Sequence, residues 1–223
     1  RQQLNVVFGR MSRAVTLALE LDDTPLSTEL RGFIDALVAL SGGKLKSTVD
    51  DGEYEKDDTG RAVFDVDSVL PAARPCVRMV VDGEPTGLAF HGVPSGHEFN
   101  SFVLGLYNAA GPGQPLGDDL IERAKSIASP LSIMILVSLT CTMCPETVLA
   151  SQRIASLSPA VRAEAYDVSH FPELKDQYGA MSVPCIVINR GAVAGAEGEG
   201  GEAEQKVEFG KKSIPQMLEL VGA

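Results

Sequence analysis

Cysteine is scarce in this chain, four residues among 223, and that excludes a secreted scaffold held together by disulfides, which pairs cysteines far more densely. Basic side chains are in deficit as well. With 19 Lys and Arg against 30 Asp and Glu, the net charge is −11 and the pI about 4.7, so the clustered cations that a phosphate backbone requires are missing and a nucleic-acid partner is excluded. No apolar run approaches the length that spans a bilayer, which argues against a membrane protein. No G-x-G-x-x-G stands on a strand-to-helix turn, so no cofactor is expected in this chain and FAD or NAD is not held in the usual way. His91, His97 and His170 show no metal-ligand spacing. No signal peptide is expected and the cysteine usage leads to the expectation of a cytoplasmic, reducing compartment, while the missing initiator methionine leaves open an excised fragment. What remains is a chain that is 44% hydrophobic, ordinary for a globular protein and long enough for one large core or two of about a hundred residues each.

The chemistry is carried by Cys141-Thr-Met-Cys144, which follows an apolar run at 133–137 and precedes a helix-compatible stretch opening at Pro145. A helix N-terminus presents unpaired N–H groups and partial positive charge, and these stabilise a thiolate. Cys141 is therefore the expected attacking thiol, and Cys144, one turn further into the helix, the resolving one. A zinc site would need a second close pair of ligands; Cys76 and Cys185 are isolated. Downstream, Val183-Pro184 heads the β-branched run Cys185-Ile-Val-Ile, a position where proline suits a strand start and where a cis bond can occur. The Cys185 thiol either approaches the redox pair or, as favoured for a free cysteine, points into the sheet as a small buried hydrophobe, with Cys76 as its mirror.

The chain repeats itself. Strands are expected at 15–19 and 77–81 with helices at 27–40 and 96–108, and the same order recurs with strands at 133–137 and 185–188 and helices at 145–157 and 213–220. Laying residue 15 on residue 133 sets Asp23 opposite Cys141 and Leu26 opposite Cys144. The first half then reads as a thioredoxin-type unit without its dithiol, and Arg74-Pro75-Cys76 echoes Val183-Pro184-Cys185. The seam is expected at Gly111-Pro112-Gly113-Gln114-Pro115, which breaks both helix and strand. The fold class is α/β with two fused thioredoxin-like folds, 1–115 without a dithiol and 116–223 redox-active, the latter with a Gly/Glu-rich mobile loop at 190–206.

The run His91-Gly-Val-Pro-Ser-Gly-His97-Glu98-Phe99-Asn-Ser-Phe-Val-Leu-Gly-Leu106, with Leu21-Asp22-Asp23 and the later Cys-x-x-Cys, resembles the N-terminal domain of the flavoprotein component of alkyl hydroperoxide reductase over nearly the whole chain. The resemblance implies that electrons come from a flavoprotein disulfide reductase module using FAD and NAD(P)H, in a partner or a continuation, and pass to a peroxiredoxin or other disulfide-bearing protein. It also implies that Val183 and Pro184 meet the substrate strand, and that Glu98 lies in the groove between the folds, facing the dithiol. Where thioredoxin keeps an aspartate six residues before its first cysteine, this chain has Ile135, so Glu98 becomes the candidate proton acceptor for Cys144, with His97 as a residue that could orient it. The function expected is that of a thiol-disulfide oxidoreductase working through Cys141 and Cys144. The alternatives are an autonomous protein disulfide oxidoreductase and a non-catalytic redox-sensing module.

Overall fold

The run Val-Thr-Leu-Ala-Leu-Glu alternates large apolar side chains with smaller or polar ones, and it forms a strand, β1 (Val15–Glu20), that is fully buried on one face only. Leu-Ser-Ile-Met-Ile-Leu-Val is almost continuously apolar and forms β5 (Leu131–Val137), buried on both faces. That contrast sets the layout. The computed structural model describes residues 2–50, 52–191 and 204–223, with the side chains of residues 2 and 3 left aside.

The first half runs α1 (Gln2–Arg10), β1, α2 (Pro25–Leu40), β2 (Leu45–Asp50), β3 (Cys76–Val81), β4 (Glu84–His91) and α3 (Glu98–Ala110). The second runs α4 (Asp118–Lys125), β5, α5 (Cys144–Ala155), β6 (Val161–Asp167), α6 (Pro172–Gln177), β7 (Cys185–Arg190), β8 (Glu204–Phe209) and α7 (Ile214–Leu220). Each half builds the same four-stranded pattern, and the two join through a parallel pairing of β4 with β6 into one sheet of order β2-β1-β3-β4-β6-β5-β7-β8. The β3–β4 hairpin turns at Asp82-Gly83, both with positive φ, which is the backbone a two-residue hairpin of this twist demands.

The period-2 alternation of the strands sorts the core into two clusters. One face carries Leu17, Leu19, Val77, Met79, Ile133, Ile135 and Ile186 and is covered by helices α2, α3, α5 and α7, which contribute Leu30, Ile34, Phe102, Leu106, Val148 and Met217. Helix α2 shows how the sequence arranges this: its buried residues Ser27, Leu30, Ile34 and Leu37 recur at helical spacing, and Pro25 opens it. The other face carries Met134, Leu136, Tyr166, Cys185 and Val187. There α6 packs beside the long connection 52–75 of the first half, whose Phe64, Leu70 and Ala73 lie in the same cluster. The connection thus takes the place of a helix and covers the second half.

The structure departs from the sequence pattern at three places. The strand register pairs Glu20 with Cys76 in the first half and Leu136 with Cys185 in the second, so the two units align β1 on β5 two residues away from the register read in the sequence. The first strand-to-helix turn, 21–24, is shorter than its counterpart at 138–143, so Asp23 and Leu26 do not stand where Cys141 and Cys144 do; the turn that would carry a dithiol is absent. Of the segment read as a loop at 190–206, Arg190 closes β7 and residues 204–206 open β8, paired in register with it; residues 192–203 lie outside the described residues. Strands β2, β4, β6 and β8 and helices α1, α4 and α6 were not located from the sequence.

Candidate redox site

Helix α5 begins at Cys144, with Met143 as N-cap and Pro145 in its first turn. Proline fits there because the first-turn N–H groups have no partner within the helix. The Cys144 N–H donates to Cys141 Sγ at 3.2 Å, so the expected coupling of a helix-terminal amide to the first sulfur is present in the geometry. Cys141 and Cys144 are disulfide-bonded, with Cα atoms 5.6 Å apart. Cys141 is half-buried and Cys144 fully buried, the asymmetry that attack and resolution require. Across the site, the Val183–Pro184 peptide is cis, as is its echo Arg74–Pro75. Cys141 Sγ lies 3.7 Å from the Val183 carbonyl oxygen.

The first half reaches this site through the turn before α3. The His97 N–H donates to the Leu139 carbonyl at 3.0 Å, two residues before Cys141. Gly96, with φ +56, lies so close that a Cβ there would stand 2.6 Å from the same oxygen; glycine is what permits the approach. Glu98 then opens α3, fully buried. Burial pushes its carboxyl up to about 7, against a hydrogen bond from Ser101 that works the other way, while Asp167 at the end of β6 adds to the rise. Ser101 Oγ donates to Glu98 Oε2, and Oε1 has no partner. His97 is exposed, and among the described residues it is Ser101, not His97, that holds Glu98. The Glu98-x-x-Ser101 spacing on one helix face was the signal that could have found this. Helix α3 lies against α5 at Gly105, where a Cβ would stand 2.6 Å from Gln152 Oε1.

Beneath the dithiol the position of Ile135 is apolar and buried. Cys185 and Cys76 are both buried free thiols, and burial pushes Cys185 up to about 11 and Cys76 well above the ordinary thiol range. No group of three or more His, Cys, Asp or Glu suited to a metal occurs among the described residues. No helix among them is long and apolar enough to cross a membrane.

A second polar cluster, not foreseen in the sequence, lies at the join of the halves. Glu164 of β6, fully buried, accepts from Arg78 at 2.8 Å, from Arg162 at 2.9 Å, from His91 Nε2 at 2.9 Å and from the Tyr166 hydroxyl at 3.1 Å. His91 Nδ1 faces the Ala73 carbonyl at 2.6 Å, and its ring stacks on Tyr166 with centroids 3.8 Å apart. Arg78 also bonds Glu20 at 2.7 Å.

A thioredoxin-domain family model matches residues 131–207. The chain is 31% identical over 189 residues to the alkyl hydroperoxide reductase AhpF of Pseudomonas aeruginosa, covering 85% of this chain and 33% of that protein; it spans about a third of the length of the curated relatives it matches. A protein disulfide oxidoreductase from Aeropyrum pernix shares the fold, with TM-score 0.71, 20% identity and coverage of 99% and 89%. The NTD_N/C domain of alkylhydroperoxide reductase AhpF from Enterococcus faecalis superposes with TM-score 0.79 at 34% identity, covering 98% of this chain and 96% of that one. Agreement at that identity, across nearly the full extent of both chains, makes this protein a member of the AhpF family of alkyl hydroperoxide reductases, in the part that corresponds to the NTD_N/C domain.

Proposed function

We propose that this chain is a thiol-disulfide oxidoreductase unit that takes electrons from a flavin and pyridine-nucleotide reductase module and passes them to a peroxiredoxin or another disulfide-bearing protein. The observation that carries the reading is the Cys144 N–H on Cys141 Sγ at the start of α5, beside the Val183 carbonyl. In the reduced state the Cys141 thiolate attacks a substrate disulfide; one substrate sulfur leaves as thiolate and a mixed disulfide forms. Cys144 then loses its proton and attacks Cys141 Sγ, the second substrate sulfur leaves, and two electrons have moved to the substrate. Glu98 is the acceptor for the Cys144 proton, since a carboxyl titrating near neutrality is matched to that task. Val183 and Pro184 offer backbone to the incoming strand. The pair is returned to the dithiol by the reductase module, which supplies FAD and NAD(P)H chemistry outside these residues, in a reducing, cytoplasmic compartment. The working division is 1–115, which lends Glu98, and 116–223, which holds the dithiol.

The test is single-turnover reduction of a disulfide-form peroxiredoxin by the reduced chain. Cys141→Ser abolishes the reaction and Cys144→Ser accumulates the mixed disulfide; brief alkylation near neutral pH labels Cys141 first. Full activity in Cys141→Ser, or first labelling at Cys144, overturns the reading.

A further inference from the structure

The six methionines of the chain fall into two environments. Met11, Met79, Met134 and Met217 are core residues, each 2% exposed or less. Met143 is 50% exposed and Met181 is 93% exposed. Both exposed thioethers stand at the redox site, Met143 within the Cys-x-x-Cys and Met181 just before Val183-Pro184. Met143 is the residue between Thr142 and Cys144, at the N-cap of α5. Met181 stands two residues before Val183, whose carbonyl oxygen lies 3.7 Å from Cys141 Sγ, and two residues of chain span at most about 7 Å. Apolar side chains this exposed contribute little to the fold's own packing, Met181 least of all, and thioethers adapt to varied partner surfaces. A protein that brings a disulfide to Cys141 is the occupant of this rim, because Met143 lies within the redox motif and Met181 lies two residues from the Val183 carbonyl that Cys141 Sγ approaches.

We infer that Met143 and Met181 form an oxidisable docking rim, at which hydroperoxide converts the two thioethers to sulfoxides and thereby weakens engagement of the disulfide-bearing protein substrate. The inference rests on the reading of Cys141 as the attacking thiol. The step balances: the thioether sulfur gives two electrons, the O–O bond of the hydroperoxide breaks, one oxygen becomes the S=O oxygen, and the other leaves as alcohol, or as water from hydrogen peroxide. The product is polar and chiral where the rim was apolar. Cysteine is shielded from the same oxidant in the resting state. Cys141 and Cys144 are joined as a disulfide, and Cys76 and Cys185 are buried with burial raising both thiols; thiolate character and exposure are what expose a sulfur to oxidation. In the disulfide form the rim methionines are therefore the accessible thioether sulfurs among the described residues. The modification would slow delivery of electrons to protein disulfides while leaving the dithiol itself intact, and methionine sulfoxide reductases would reverse it.

The disulfide-form chain is treated with tert-butyl hydroperoxide, quenched, reduced with dithiothreitol and desalted. Peptide mass spectrometry is expected to find one added oxygen at Met143 and at Met181 well before any at the four buried methionines. The second-order rate of reducing a disulfide-form peroxiredoxin is expected to fall by roughly five- to tenfold, the scale of a partly lost apolar contact, while reduction of lipoic acid is unchanged and sulfoxide reductase treatment restores the rate. In M143L/M181L, whatever its own starting rate, the ratio of treated to untreated rate is expected to stay at unity. An unchanged peroxiredoxin rate in doubly oxidised protein overturns the inference, as does an equal fall in M143L/M181L. Loss of lipoic acid reduction in the untreated chain would overturn the dithiol reading itself, and the inference with it.

Discussion

Glu98 shows how far one residue can depart from the ordinary behaviour of its type. An exposed glutamate ionises near 4.5, and burial raises this one to about 7 in the folded chain despite the opposing hydrogen bond from Ser101. Between those two pH values the folded state holds a proton that the unfolded state has lost, so stability falls as pH rises through that window and the full penalty applies above about 7. Glu98→Gln removes this titration. The variant is expected to gain stability relative to the native chain as pH rises from about 4.5 to about 7, by as much as about 3 kcal/mol, and urea denaturation at either end of the window measures it. The same change is expected to slow resolution by Cys144 by about a hundredfold if Glu98 takes its proton; stopped-flow decay of the mixed disulfide reports this. A variant that keeps both the native pH dependence and the native resolution rate would remove Glu98 from the mechanism. The gain in stability with a loss in rate is the signature of a strained functional group, and a purely structural carboxylate would not give it.

Strands β4 and β6 meet at the join of the halves, and Glu164 on β6 is the hub of that meeting. Burial alone would raise its carboxyl, yet the hydrogen bond from His91 and the charges of Arg78 and Arg162 outweigh burial and hold it at about 2, below the usual 4.5. A depressed carboxyl contributes stability that is present above the unfolded value and is lost as pH falls through the folded one, here from about 4.5 toward about 2. Glu164→Gln leaves Arg78 and Arg162 without their buried carboxylate and is expected to cost about 3–5 kcal/mol near neutral pH. The gap between variant and native chain is expected to shrink as the solution is acidified, which denaturation midpoints across the acid range would show; a gap independent of pH would mean that Glu164 does not carry its charge in the fold. The same element explains what was legible in the sequence. Strands β1, β3, β5 and β7 announce themselves by alternation or by unbroken apolar runs, and the dithiol and the proline at the strand start were readable from residue types and spacing, whereas Glu98 was pointed to by the family resemblance of the Gly-His-Glu-Phe run. Strand β6 was not readable, because Val-Arg-Ala-Glu-Ala-Tyr-Asp buries Glu164, whose partners Arg78 and His91 lie in the other half, and no local pattern records a distant partner. Strand β4 was hidden by Pro85 and Gly87, although Asp82-Gly83 signals a hairpin. The 52–75 connection has no period of its own, because its apolar side chains serve a sheet face more than sixty residues downstream in sequence, as the clustering of Leu70 and Ala73 with Met134, Leu136 and Val187 shows.

At the scale of the whole molecule, the second half does not hold its core alone. The face of β5, β6 and β7 that carries Met134, Tyr166 and Val187 is covered in part by Phe64, Leu70 and Ala73 from the first half, and the hub carboxylate draws Arg78 and His91 from it. Residues 116–223 expressed alone would expose this surface and the edge of β6, a strand edge open to pairing with other chains. The fragment is expected to associate or to unfold well below the full chain, which size-exclusion chromatography and thermal melting would detect; a monomeric fragment with undiminished rate and melting temperature would show that the first half adds neither stability nor chemistry. Sealing Cys76 and Cys185 at 0% exposure has one further consequence. A thiol reagent added briefly to the folded, reduced chain registers Cys141, because Cys144 is as fully buried as the two free cysteines, and after unfolding it registers all four. In the oxidised chain the pair is silent both before and after unfolding, so the increment counts Cys76 and Cys185 alone and the protein carries its own internal standard: the folded count reports redox state, and that increment reports whether the interior is intact.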